Sequence, residues 1–136
     1  MKIFGIGTDI VNIQRMKKSL NRHGNKFKKK IFSQKEINYC EKKKNPISFY
    51  AKRFAAKEAL SKALGEGITK NISLKNIEIT NNNRGKPSIT LKGNVEAFLK
   101  KKIKNNKYNI YLSLSDDDPW AQATVIISYP DEKKNN

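Results

Sequence analysis

The thirteen residues from Arg53 to Gly65 (Arg53-Phe54-Ala55-Ala56-Lys57-Glu58-Ala59-Leu60-Ser61-Lys62-Ala63-Leu64-Gly65) constrain this chain more than any other stretch of it. Ala and Leu dominate, nothing interrupts them, and Gly65 stands at the C-terminal cap position of a helix. Phe54, Glu58, Ser61, Lys62 and Gly65 recur at spacings of three and four, so they share one face. That face sets a carboxylate, a hydroxyl and an ammonium side by side. Read alone, the segment is a surface helix with a Glu58–Lys62 ion pair at i,i+4, worth a few tenths of a kcal/mol.

A second segment reverses that preference. Ile3-Phe4-Gly5-Ile6-Gly7-Thr8-Asp9-Ile10-Val11 reads as a buried strand that delivers Asp9 at or just past its end. Gly5-x-Gly7 superficially suggests a dinucleotide loop, but Ile10 follows where a third glycine belongs. An Asp at a phosphate site also repels the ligand, unless a metal ion sits between them. Asp9 and Glu58 together supply oxygen ligands for such an ion. Magnesium takes one or two protein carboxylates and completes its shell with water and substrate phosphate oxygens. The pair therefore suggests a magnesium–diphosphate site with Lys62 close by.

Gly7-Thr8-Asp9-Ile10-Val11, together with Lys52-Arg53-Phe54-Ala55-Ala56-Lys57-Glu58-Ala59 and the following Lys62 and Gly65, resembles the holo-[acyl-carrier-protein] synthases, the small bacterial 4′-phosphopantetheinyl transferases. Gly85-Lys86-Pro87 and Ala123-Thr124-Val125-Ile126-Ile127 match in the same order, so the resemblance spans about residues 3 to 128. It implies transfer of the 4′-phosphopantetheine arm of coenzyme A to a serine of apo acyl carrier protein, releasing adenosine 3′,5′-bisphosphate, in support of fatty acid biosynthesis. It implies Asp9 and Glu58 as magnesium ligands, and Glu58 and Lys62 as catalytic residues. Lys62 would steady phosphate charge in the transition state. Two proton routes stay open: Glu58 through a water, or Lys62. Arg53 and Lys57 are expected at the nucleotide's outer phosphate, with Lys62, Gly65, Gly85, Lys86 and Pro87 completing the coenzyme A site. Family members of this size are typically homotrimers with active sites where subunits meet. One departure stands out. Many relatives carry Ser-His or Thr-His where this chain has Ser115-Asp116, while others carry an acidic residue there, and Asp116 cannot copy an imidazolium's contacts to phosphate. It is left outside the catalytic set.

At 136 residues with no internal repeat, the chain fits one domain, taken as residues 1–130 with a disordered tail over 131–136. Its core is modest, so association between copies would help it. No run approaches the roughly 20 apolar residues that span a bilayer. The N-terminus has a strand pattern rather than a signal-peptide layout. One cysteine, Cys40, excludes an intrachain disulfide and a cysteine-cluster metal site. A cytoplasmic protein is expected. The single histidine, His23, lies among Arg22, Lys26 and Lys28 on an expected surface, which disfavours a Ser–His–Asp hydrolase.

The formal charge of +17 draws polyanions by long-range steering, although biased Lys- and Asn-rich composition accounts for part of it. A basic nucleic-acid-binding module explains the charge, but no RNA-recognition signature, zinc finger or clear helix-turn-helix pairing supports it. It also leaves Asp9 and Glu58 without a role, so neither nucleic acid nor membrane is expected as a partner. Asn12 to Arg22 reads as an amphipathic helix whose Arg15, Lys18 and Arg22 form a basic stripe. Acyl carrier proteins are strongly acidic, so the resemblance makes that stripe the expected docking face.

Ser33-x-x-Glu36 is a capping box opening a short helix to about Lys42. Asn45-Pro46 leads into the long helix, from about Phe49 to Leu64, and Gly65 and Gly67 mark a turn after it. Asn76 to Thr80 and Pro87 to Leu91 read as one hairpin; Asn109 to Ser115 and Trp120 to Ser128 read as another. Between them Asn94 to Lys104 reads as a helix with Val95, Phe98, Leu99 and Ile103 on its apolar side. Helices and hairpins without alternating βα units predict an α+β fold, a mainly antiparallel sheet packed against the long central helix, as in the 4′-phosphopantetheinyl transferases.

Overall fold

The computed structural model describes residues 1–65, 72–103 and 106–131. Gly67, Lys104 and the expected tail from residue 132 onward lie outside them. The elements run β1 (Lys2–Asn12), α1 (Ile13–Ile31), α2 (Gln34–Glu41), α3 (Pro46–Leu64), β2 (Ile77–Asn81), β3 (Pro87–Leu91), α4 (Gly93–Lys102), β4 (Asn109–Asp117) and β5 (Trp120–Tyr129). A 3₁₀ turn, Leu74–Asn76, precedes β2. The fold is α+β. Both sheets are antiparallel: a three-stranded one ordered β1-β5-β4 and the two-stranded β2–β3 hairpin.

Helix α3 lies on β1 and β5 because the strand beneath it lacks side chains where they meet. A Cβ on Gly5 would stand 1.8 Å from the Ala63 carbonyl oxygen, and one on Gly7 1.8 Å from that of Ala59. Glycines on the strand and alanines on the helix thus bring two backbones into direct contact. The Gly5-x-Gly7 pattern is a seat for a helix. This changes the reading of β1 in two ways. Asp9 lies within the strand, paired with Ala123, and the strand runs on to Asn12. Nor is β1 covered on both faces in this chain: Ile6 and Ile10 are 63% and 60% exposed on the side away from α3.

The core divides in two. Ala55, Ala59 and Leu60 of α3 pack with Ile79, Leu99 and Val125 in one cluster; Met16, Leu20, Phe32, Tyr50 and Ala121 form the other. Helix α1 starts at the Asn12 cap, whose Oδ1 accepts from the backbone N–H groups of Gln14 and Arg15 at 2.9 and 3.2 Å. It outruns the expected Arg22 end. Gly24, at φ 54°, bends it, and the helix resumes to Ile31 because Phe27 and Ile31 pack on the second cluster. The capping box on α2 forms as read, Ser33 and Glu36 each bonding the other's backbone N–H. Helix α3 begins three residues before Phe49, with Pro46 in its first turn, where a missing N–H costs nothing.

Candidate active site

The glycine seat decides which side chains of α3 meet β1. Lys62 Nζ donates to the Asp9 carboxylate and to the Thr8 carbonyl, both at 3.0 Å. Its ion-pair partner is therefore Asp9, across the seat, and not Glu58 along the helix. Glu58, one turn earlier, is half-buried. Burial pushes its carboxyl above the ordinary glutamate range, and the nearby Asp9 charge pushes the same way, while Lys62 opposes both. Asp9, Glu58, Arg15 and Phe54 line one cleft of about 440 Å³. Glu58 and Phe54 also border a second, of about 560 Å³, with Phe27, Ile31, Ser61 and Leu74. Ser61 shares the helix face as expected, but its hydroxyl donates to the Lys57 carbonyl at 3.0 Å.

Lys57 is a correction. It is fully buried, and its ammonium donates to Glu36 at 2.8 Å, to the Leu74 carbonyl at 2.9 Å and to the Ile77 carbonyl. Glu36 in turn accepts from the backbone N–H groups of Ser33 at 2.8 Å and Ile79 at 3.1 Å. All three ammonium donors are engaged inside the protein, so Lys57 offers nothing to a coenzyme. It ties α2, α3 and β2 together.

Arg53 is buried too, yet it borders a cavity. Its guanidinium lies 4.2 Å from the Tyr39 ring centroid and donates to Asn81 Oδ1, while its Nε has no partner among the described residues. The cavity, about 310 Å³, is also lined by Phe49, Lys52, Gly85 and Pro87. Three residues expected at the coenzyme, Arg53, Gly85 and Pro87, are thus brought together. Lys86 is exposed at the adjoining turn, and Gly65 is exposed at the end of α3 with φ 92°. Asp116 pairs with Lys52 at 3.2 Å. Arg15, Lys18 and Arg22 are all exposed along α1. Arg53 and Glu58 stand five residues apart, about 140° around a helix of 3.6 residues per turn. The Arg53 cavity and the Glu58 clefts have no lining residue in common.

Sequence reasoning missed Glu36, Tyr39 and Asn81. Glu36 was legible only as half of a capping box, because a carboxylate that also receives a lysine from another helix leaves no local mark. Tyr39 and Asn81 reach Arg53 from elements far away in the chain, which no spacing rule connects.

Residues 5–124 match the 4′-phosphopantetheinyl transferase superfamily. A holo-[acyl-carrier-protein] synthase of Pelagibacter ubique is 44% identical over 127 residues, 93% of this chain and 98% of that protein. Among solved structures, the Chronobacterium ammoniagenes ACPS–CoA complex is 27% identical with a TM-score of 0.83, over 96% of this chain and all of that one. A Bacillus anthracis holo-(acyl-carrier-protein) synthase in complex with CoA (3′,5′-ADP) is 35% identical with a TM-score of 0.74, over 92% and 96% of the two chains. With its glycine-seated helix and its Asp9–Lys62–Glu58 cluster inside the matched region, the chain belongs to the 4′-phosphopantetheinyl transferase superfamily, as an enzyme of the holo-[acyl-carrier-protein] synthase family.

Proposed function

We propose that this enzyme transfers the 4′-phosphopantetheine arm of coenzyme A to a serine of an apo acyl carrier protein in a magnesium-dependent reaction, and so supports fatty acid biosynthesis. The observation that carries this reading is the convergence of Asp9, Glu58 and Lys62 across the Gly5–Gly7 seat. Two neighbouring carboxylates, one held above its ordinary range by burial and by the other's charge, form a donor set that a divalent cation relieves. Among the described residues no cluster of three or more His, Cys, Asp or Glu could hold a metal. A two-carboxylate site fits magnesium, which fills its remaining positions with water and phosphate oxygens. Bound there, magnesium supplies Lewis-acid neutralisation of the diphosphate.

The serine oxygen forms a bond to the β-phosphorus as the bond to the departing adenosine 3′,5′-bisphosphate breaks. Lys62, with an ammonium beside Asp9, offers positive charge to the phosphates as negative charge builds. The serine proton needs an acceptor. An ammonium accepts nothing, whereas a carboxylate does, so Glu58 is the proposed acceptor, through a water. Arg53, with Nε unpaired at its cavity, meets the nucleotide's outer phosphate beside Gly85, Lys86 and Pro87. Arg15 lines the cleft that holds Asp9 and Glu58, so an acidic carrier docked on Arg15, Lys18 and Arg22 would present its serine there.

A coenzyme that engages both the Arg53 cavity and the Glu58 cleft is best served by two subunits, in keeping with a homotrimer. Ile6, Ile126 and Tyr111 stand opposite one another across the three strands, and Ile10 and Trp120 share that outward face. Ile6, Ile10, Tyr111 and Trp120 are large exposed apolar residues, an area suited to self-association. No helix among the described residues is long and apolar enough to cross a membrane. The lone buried thiol of Cys40 accords with a reducing, cytoplasmic setting. Mass spectrometry of apo acyl carrier protein incubated with this enzyme, coenzyme A and magnesium tests the reading. The carrier should gain one phosphopantetheine, and omission of magnesium should prevent it; an unmodified carrier with both present would refute it.

A further inference from the structure

Between Arg53 and the Gly85-Lys86-Pro87 turn stands one side chain with no assigned role. Asn81 Oδ1 accepts from the Arg53 guanidinium, and Asn81 Nδ2 donates to the Gly85 carbonyl at 3.0 Å. The turn's internal shape is secured separately. Asn82 Oδ1 accepts from the backbone N–H groups of Arg84 and Lys86 at 2.9 Å each, and Gly85 N–H donates to the Asn82 carbonyl at 2.9 Å. What those bonds leave open is where the finished turn sits relative to α3. Asn81 answers that, because a carboxamide offers an acceptor to the cation and a donor to the carbonyl at once. Aspartate could keep only the first contact, and leucine neither. The two ends of the bridge, Arg53 and Gly85, line the same cavity.

We infer that Asn81 is a positioning residue that sets the distance between the Arg53 guanidinium and the Gly85–Pro87 turn, and thereby the enzyme's affinity for the nucleotide end of coenzyme A. This rests on the proposed coenzyme site. It acts on binding and not on the transfer step, since Asp9, Glu58 and Lys62 lie in a different cleft. Loss of a hydrogen bond to a charged group weakens an interaction by about tenfold.

The test is steady-state kinetics of Asn81→Leu and Asn81→Asp, with coenzyme A and with 3′-dephospho-coenzyme A, and thermal midpoints recorded alongside. Asn81→Leu should raise the KM for coenzyme A about tenfold while kcat and the carrier KM stay within about twofold. The preference for coenzyme A over its dephospho analogue should shrink in both variants. Asn81→Asp should shrink it more, because its carboxylate offsets the Arg53 charge that faces the phosphate. A folded Asn81→Leu with unchanged coenzyme KM and unchanged preference would overturn the assignment. So would a parallel fall in kcat and rise in both KM values, the mark of general loosening. A wild-type enzyme that transfers nothing would overturn this inference together with the proposed function; an active wild type whose variants behave like it would overturn this inference alone.

Discussion

Two lysines of α3, five residues apart, each hold a carboxylate from another element, and the two pairs could hardly differ more. Lys57 and Glu36 stand 2.8 Å apart with both side chains fully buried. Lys62 and Asp9 stand 3.0 Å apart, with Lys62 57% exposed. In the first, every donor and acceptor is satisfied by protein, down to the backbone of Ser33 and Ile79. In the second, water and a ligand can reach both partners. Burial converts an ion pair into architecture, because desolvated charges cannot be left unpaired. Exposure leaves a pair weak but available for chemistry. The lesson is that a lysine inside a family motif is no guide to function until its solvent is known.

The comparison is broken most severely at the exposed end. Asp9→Ala and Glu58→Ala should each abolish carrier modification in the mass-spectrometric assay, with thermal midpoints close to the parent's. Near-normal turnover in both at ordinary magnesium would refute their proposed role as metal ligands. At the buried end the effect should appear in stability. Glu36→Ala strands the Lys57 ammonium and two backbone N–H groups, and should cost about 3–5 kcal/mol in urea unfolding. A loss below 1 kcal/mol would show that water reaches Lys57 after all.

Lys62→Ala should leave the fold intact and lower kcat by about a hundredfold, with a smaller effect on coenzyme A affinity. Equal changes in both would recast Lys62 as a simple binding residue. Next in size is the basic stripe on α1. Reversing Arg15 and Arg22 to Glu should raise the carrier KM several-fold more than the coenzyme KM. Added salt should weaken the parent enzyme in the same direction, since the Debye length is about 10 Å at 0.1 M. A shift confined to the coenzyme KM would move the stripe to the nucleotide site.

The smallest effect sharpens the contrast from below. Burial pushes the Cys40 thiol up to about 12 from an ordinary 9.0. The folded thiol therefore keeps its proton where the unfolded one sheds it. Its contribution to stability is whole below about pH 9 and is lost as pH rises through about 12. Cys40→Ala should flatten the alkaline decline in unfolding free energy over that window. Taking the difference between variant and parent separates Cys40 from Lys57, whose buried ammonium is pushed the opposite way, below its ordinary value. Identical slopes would mean that the thiol is hydrated.

Much of this molecule was written locally. The Ala-rich helix ending at Gly65, the Ser33–Glu36 capping box, the two hairpins and the α+β class all follow from propensity, periodicity and turn chemistry. These act over a few residues and can be read within a short window. The pairing of Asp9 with Glu58 and Lys62 was suggested by the chemistry of a carboxylate near phosphate, and two short motifs that carry a family resemblance strengthened it. What spacing could not reveal was which face of α3 meets which solvent. Phe54, Glu58 and Lys62 were assigned to one face correctly, but Lys57, adjacent to Glu58, looked equally available. Tertiary packing decided otherwise, by bringing α2 and the turn before β2 over it. The same holds for Gly5 and Gly7, whose meaning depends on two alanine carbonyls more than fifty residues later. Desolvation and backbone-to-backbone contact are properties of distant segments in three dimensions, so only the folded chain buries Lys57 against Glu36 and leaves Lys62 exposed beside Asp9.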